Sequence, residues 1–312
     1  MPLPTALQGR LTIPAVAAPM FIVSKPELVL AECRAGIVGS FPSLNARGEG
    51  VLDAWLARLN AELTPADAPF AVNLIVHRSN LRLAGDLALV VKHRVPIVII
   101  SLGAKEEVIA AVHSYGGVVF HDVTDDRYAR KAVEKGADGL IAVAAGAGGH
   151  AGTLSPFALV TEIRRWFDGP LALSGAIATG DAILAAQAAG ADLAYVGSPF
   201  IATEEADADA RYKAMIVEGG AADIVYSNLF TGVHGNYLAP SIRASGLDPD
   251  RLPTSDPSKM DFAELTGGDK KAWRDIWGCG QGIGAVDAVV SAGELVARLA
   301  REYEAARRRL LG

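Results

Sequence analysis

The feature that most constrains the fold of this 312-residue chain is a train of eight short apolar segments separated by stretches of helical period. Segments 14–20, 37–41, 70–76, 95–102, 117–123, 140–145, 170–174 and 193–196 read as strands. Most are apolar throughout, and 95–102 is strongly β-branched. That is the pattern of parallel strands covered on both faces, because a half-exposed strand shows polar residues at every second position. Helical patterns occupy 26–35, 50–63, 81–93, 105–115, 125–135, 156–167 and 181–189, with an eighth at 208–217. In 50–63, Val51, Leu52, Trp55, Leu56 and Leu59 fall on one helix face. A local repeat supports the register: Glu134-Lys135-Gly136-Ala137-Asp138 and Ala188-Ala189-Gly190-Ala191-Asp192 both close a helix on a glycine and lead into a strand.

Eight such units in about two hundred residues predict an α/β fold of the (β/α)8 TIM-barrel type. A doubly wound sheet is the alternative, but its nucleotide-binding first turn should be rich in glycine, and here it is not. The barrel is expected to occupy residues 1–222. Residues 223–312 then read as a lid-like segment and helices packing on it. The stretch 227–267 is rich in glycine, proline, serine and aspartate, and irregular segments of that length are uncommon in compact domains unless they serve a function. Residues 273–284 and a long helix, 291–311, close the chain; Arg307, Arg308 and Arg309 read as a solvated helix end.

A TIM barrel carries its functional residues at the C-terminal ends of its strands. After the sixth strand comes Gly146-Ala147-Gly148-Gly149-His150-Ala151-Gly152-Thr153, a loop of small residues that lets backbone approach a ligand around one imidazole. A plain turn with a solvated histidine is the other reading of that loop. Ser155 and Pro156 open the next helix as N-cap and first residue. Phosphate in such barrels binds most often after the seventh and eighth strands, where this chain has Ser174-Gly175-Ala176-Ile177-Ala178-Thr179-Gly180 and Gly197-Ser198-Pro199-Phe200. The other strand ends supply Ala18-Pro19-Met20, Asn73, and the pair His121 and Asp122. Asn73 interrupts an apolar run, so its amide either satisfies backbone locally or meets a ligand's polar edge. His121 reads equally as a satisfied core residue. No role follows for His77 or His234.

The formal charge of −6 gives no electrostatic reason to expect nucleic acid or an anionic membrane surface, which leaves a small molecule as the expected partner. Cys33 and Cys279 lie far apart with no C-x-x-C and no metal-ligand spacing, so free thiols in a reducing compartment are expected, with no metal site. The first residues lack the basic start and apolar core of a signal peptide, and no stretch reaches eighteen apolar residues, which suggests a soluble cytoplasmic protein. Exposed barrel helices can form a homodimer, but no seam in the sequence demands one.

PAVAAPM (14–20), the Asn73 strand, GAGGHAGT (146–153), SGAIATG (174–180) and YVGSPF (195–200), in that order and spacing, resemble the nitronate monooxygenase (2-nitropropane dioxygenase) family. The Gly-Gly-His segment is the most specific of these motifs. The resemblance implies a TIM barrel with noncovalent FMN and a reaction with O2 that converts alkyl nitronates, or nitroalkanes, to a carbonyl compound and nitrite. It places FMN against Ala18, Pro19, Met20, Asn73 and Gly148, with its phosphate at Gly175, Ala176, Gly197 and Ser198, and makes His150 the active-site histidine.

The sequence departs from the family at several points. One glycine stands where two are usual (Ser174-Gly175-Ala176), Gly197-Ser198 replaces Gly-Thr, and apolar Val143 replaces a polar residue. TGVHGNYL (231–238) resembles the family only loosely, which leaves the substrate open, and Gly280-Gln281-Gly282 resembles a pocket-closing segment or serves as a hinge. The alternative activity is an FMN-dependent NAD(P)H enoyl-acyl-carrier-protein reductase or NAD(P)H:quinone reductase on the same barrel. A noncatalytic flavin-binding protein is a third reading, disfavoured by the retained His150.

Overall fold

A computed structural model of the chain describes residues 3–255 and 275–312. Eight parallel strands form one sheet: β1 (Ala15–Ala17), β2 (Gly39–Pro42), β3 (Phe70–Ile75), β4 (Ile97–Ser101), β5 (Val118–Val123), β6 (Gly139–Val143), β8 (Leu171–Ser174) and β9 (Leu193–Val196). The intervening number, β7 (Gly149–His150), belongs to a second sheet. The order β1-β9-β8-β6-β5-β4-β3-β2 closes on itself, because Val16 bridges Val38 and the Ala17 N–H donates to Val38 O at 2.8 Å. The expected (β/α)8 barrel is therefore the fold, with a strand at each of the eight apolar segments. Closure leaves no unpaired edge, which is how such a short-stranded sheet satisfies its backbone groups.

Around the strands run α1 (Pro26–Arg34), α2 (Val51–Glu62), α3 (Leu83–Lys92), α4 (Glu106–His113), α5 (Asp126–Glu134), α6 (Pro156–Arg164) and α7 (Gly180–Ala189). A single turn, α8 (Ser198–Ile201), precedes α9 (Ala210–Glu218), the helix expected at 208–217. Two apolar layers between strands and helices make up most of the core. A third cluster fills the barrel interior with Val16, Val38, Ala71, Ile97, Ile99, Phe120, Ile141, Ala172 and Leu193, and Leu7 seals its N-terminal end. The interior is thus packed from below and opens only at the C-terminal ends of the strands.

Local signals account for several helix ends. Asp125 accepts the Tyr128 N–H at 2.8 Å, and Thr179 accepts that of Ala182 at 3.2 Å. Gly190 ends α7 at φ 113°. Ser155 stands at the N-cap of α6, but its side chain makes no capping bond.

After α9, β10 (Ile224–Ser227) and β11 (Gly235–Leu238) form an antiparallel pair, and β11 pairs in turn with β7. The segment expected to be an excursion therefore adds a small three-stranded sheet over the barrel mouth, followed by α10 (Ala239–Ala244). The remainder of that segment beyond residue 255, and Trp273, lie outside the described residues. The last helix, α11 (Ala292–Leu311), starts with a Ser291/Glu294 capping box and packs along α7. Arg309 at its end pairs with Asp181 of α7, so one of the three arginines expected to be merely solvated tethers the helix. Among the described residues no helix is long and apolar enough to cross a membrane.

Candidate active site

A cavity of about 1050 Å³ opens at the C-terminal end of the barrel. Every flavin-binding or catalytic position implied by the resemblance lines it: Ala18, Pro19 and Met20 after β1, Asn73 on β3, Gly148 and His150 after β6, Gly175 and Ala176 after β8, and Gly197 and Ser198 after β9. His121, Asp122 and His234 line it as well. His77 does not contribute to its wall.

The loop after β1 is held by a residue the sequence did not single out. Asn45 accepts the Ile22 N–H at 2.8 Å and donates to Met20 O at 3.0 Å and Ser24 O at 2.8 Å. These bonds hold Ile22 at φ 69°, a conformation costly for a β-branched residue. Leu102 (φ 63°) and Ala176 (φ 55°) are likewise left-handed and line the cavity, so strained backbone is concentrated at its rim.

His150 sits in β7, opposite Gly235 of β11. Asn236, next to Gly235, donates from its side chain to Ala147 O at 2.6 Å, and the Ala151 N–H donates to His234 O at 3.2 Å. The Gly-rich loop is thus pinned as a strand edge. The Thr231 hydroxyl donates to Val233 O at 2.9 Å, so its oxygen accepts from His150 Nε2 at 3.2 Å. That polarity puts the imidazole proton on Nε2 and the basic lone pair on Nδ1. Burial pushes the imidazole down to about 4, so the ring is neutral near pH 7.

The far side of the same loop meets the C-terminal segment. A Cβ on Gly148 would lie 2.7 Å from Gly280 N, and one on Gly280 would lie 2.6 Å from Gly146 O. The two backbones can touch only as glycines. The Gly280 N–H donates to Ser198 Oγ at 2.7 Å and the Gln281 N–H to Gly146 O at 2.9 Å, so residues 280–282 act as a packed closure rather than a loose hinge.

At the ends of β8 and β9, the Ala176 N–H is engaged by Gly146 O at 3.2 Å. Among the described residues the N–H groups of Gly175, Gly197 and Ser198 have no protein acceptor, and all three residues line the cavity, which makes them candidate donors for an anion. Cys279 also lines the cavity, but burial pushes its thiol up and keeps it neutral. No group of three or more His, Cys, Asp or Glu side chains among the described residues is placed to hold a metal ion.

Inside the mouth, strand alternation carries Asn73, Ser101, Asp122, Val143, Ser174 and Tyr195 into one ring above the apolar core. Asn73, Ser101 and Asp122 are hydrogen-bonded in series. Burial raises the Asp122 carboxyl above its ordinary range, an effect that His121 and the Ser101 hydroxyl partly offset. His121 directs Nδ1 at Asp122 O (2.7 Å) and Nε2 at Gly103 O (3.1 Å), bracing the loops after β4 and β5.

The chain is similar in sequence and fold to known proteins. A sequence model described as nitronate monooxygenase matches residues 77–302. A nitronate monooxygenase of Paraburkholderia phytofirmans is 27% identical, over 93% of this chain and 92% of that protein. Among solved structures, nitroalkane oxidase from Streptomyces ansochromogenes superposes with a TM-score of 0.82 at 27% identity, covering 98% of this chain and 100% of that one. FabK from Thermotoga maritima superposes with a TM-score of 0.80 at 25% identity, covering 97% and 96%. The family match takes in more than two thirds of the chain, including the Gly-Gly-His loop and both phosphate-type loops. This protein belongs to the nitronate monooxygenase family of flavin-dependent oxidoreductases.

Proposed function

We propose that the protein is an FMN-dependent nitronate monooxygenase that converts alkyl nitronates, with O2, to a carbonyl compound and nitrite. The observation that carries the reading is a neutral His150, its tautomer set by Thr231, aimed with the cavity wall at the same space that the anion-type donors of Gly175, Gly197 and Ser198 border.

The residues fit the cofactor. Three N–H groups with no protein acceptor suit a phosphate, Ala18, Pro19 and Met20 offer a wall to a flat ring, and Asn73 offers one amide edge. Gly148 and Ala176 complete the lining, with the Ala176 N–H spent inside the protein. When bound, FMN supplies the acceptor for a carbanion's electrons and passes them to oxygen.

The chain's own part is binding, orientation and proton handling. The neutral imidazole of His150 is the base for the α-proton of a neutral nitroalkane. A nitronate needs no proton removed. Its negative charge raises the imidazole's proton affinity, and the resulting cation pairs with the nitro group. The β7–β11 pairing holds the ring in place for either task.

The volume of the cavity supports a second reading. About 1050 Å³ is at the upper end for a single bound molecule, and it leaves room beside a flavin for a nicotinamide or an acyl chain. An NAD(P)H-dependent enoyl-acyl-carrier-protein or quinone reductase would use the same walls. Anaerobic mixing separates the two: bleaching of the flavin by an alkyl nitronate alone, with nitrite formed once oxygen is admitted, is the expected result. Bleaching by NADH or NADPH and none by the nitronate would establish the reductase. His150→Asn should keep its flavin and lose about 10²- to 10⁴-fold in kcat/KM on a nitroalkane.

A further inference from the structure

The cavity wall is chemically divided. The candidate anion donors follow β8 and β9, and His150 follows β6. The ends of β1, β2, β3 and β4, neighbours in the closed barrel, instead bring large apolar side chains to the mouth: Phe21, Ile22, Leu44, Ile75 and Leu102. Leu44 is buried and the other four are half-buried. None of the five belongs to the apolar clusters that form the protein's core. Apolar side chains grouped on a cavity wall, and not used to pack the core, are surface for a ligand to cover.

Two of the five sit where their backbone costs energy. Ile22 at φ 69° and Leu102 at φ 63° are left-handed, a region that glycine enters freely and that bulky residues, β-branched ones above all, avoid. The turns are fixed by main-chain groups: the Ile22 N–H donates to Asn45 at 2.8 Å, and the Val76 N–H donates to Ser101 O, just before Leu102, at 2.8 Å. Neither turn uses the strained residue's side chain as a hydrogen-bonding group. Strain kept on two separate loops of one cavity wall points to what those side chains do inside it. Among the described residues no charged side chain lines this arc. The lysines of the cavity wall, Lys131 and Lys135, belong to α5, and Arg47 lies over the Phe21 ring at 5.6 Å without lining the cavity. A carboxylate carried into the arc would lose water and gain no cation.

We propose that the arc from Phe21 to Leu102 is an aliphatic subsite, with Ile22 and Leu102 as specificity-determining residues, and that the substrate bears an uncharged alkyl chain of several carbons. The inference rests on the nitronate reading above and names its substrate class: longer alkyl nitronates are preferred to short ones and to those ending in a carboxylate. The reacting carbon stays beside His150, and the chain lies along the β1–β4 side of the mouth. Each methylene that enters is removed from water against Ile22, Leu44, Ile75 or Leu102.

The test is kcat/KM of the flavin-loaded protein on the nitronates of nitroethane, 1-nitropropane, 1-nitrobutane and 1-nitrohexane, with 3-nitropropionate as the carboxylate-bearing counterpart of 1-nitrobutane. The value is expected to rise about two- to fourfold per methylene, and 3-nitropropionate to fall about tenfold or more below 1-nitrobutane. Ile22→Gly and Leu102→Gly suit the left-handed backbone and so keep the fold; each should lose about three- to tenfold more on 1-nitrohexane than on nitroethane. A merely structural role would lower every substrate by the same factor and overturn the proposal. So would a wild type indifferent to chain length, or one that prefers 3-nitropropionate. Binding of uncharged n-alkanamides, propanamide to octanamide, read from the shift in thermal unfolding, needs no turnover and should tighten by a similar factor per methylene. Amides that tighten while no nitronate is turned over uphold the subsite and overturn the nitronate reading; nitronates turned over with no dependence on chain length do the reverse.

Discussion

At the scale of single residues, His150 makes a pH signature. Its imidazole is pushed down to about 4 by burial, so the neutral base is present at any pH well above that value and is lost as pH falls through it. The kcat/KM for a neutral nitroalkane should therefore stay flat from pH 8 to near 5 and drop only below. An acid limb centred near 6.5 would mean that the ring is solvated. Asn45 is a second test. Replacing it by Ala removes three hydrogen bonds from the loop carrying Ala18, Pro19 and Met20, and should cost about 1–3 kcal/mol of stability in urea titrations. Glu32 of α1 is buried with neither carboxylate oxygen hydrogen-bonded among the described residues, and desolvation raises its carboxyl well above the ordinary 4.5. Its protonated form is the one the fold accepts. That contribution is complete below 4.5 and lost as pH rises through the raised value. Glu32→Gln should thus melt higher than wild type at pH 8 to 9, with the gap closing toward pH 5. A gap independent of pH would show that the folded-state carboxyl ionises in its ordinary range.

At the scale of elements, the histidine loop is set by two neighbours that come late in the chain. One is β11, whose Asn236 ties down Ala147 and whose Gly235 faces His150. The other is the segment at Gly280, in backbone contact with Gly148. Asn236→Ala should therefore lower kcat by about tenfold or more while leaving flavin affinity near that of wild type, since it loosens the imidazole rather than the phosphate end. Equal loss in both would place Asn236 in cofactor binding. Parts of this were legible in the sequence. The glycines stood out because close backbone approach needs them, and 227–267 stood out because long loops need a reason. That TGVHGNYL forms the partner strand of Gly149–His150 had no signal, because a two-residue strand has no period to detect.

At the scale of the whole molecule, α11 closes the structure by lying on α7, and the contact is intolerant of added bulk. A Cβ at Gly180 would run into the main chain at Leu299 and Tyr303. Gly180→Ala should lower stability by about 1–3 kcal/mol and expose the last helix to limited proteolysis. Unchanged thermal unfolding would mean that α7 and α11 separate at little cost. The periodic pattern pointed to the barrel, with a doubly wound sheet as the alternative, because a strand buried on both faces and a helix with one apolar stripe are written in consecutive residues. Eight alternations leave few ways to bury them all. The sequence also marked the glycine-rich loops, His150 and Asn73, each through a residue type out of place in its local run. Only the tertiary structure decided what those residues do to one another. The contacts joining Asn73 to Ser101, Ser101 to Asp122, Met20 to Asn45, Ala147 to Asn236, and Gly148 to Gly280 link positions from 21 to 132 residues apart. Their partners are chosen by strand register and barrel closure, which no local stretch of sequence encodes.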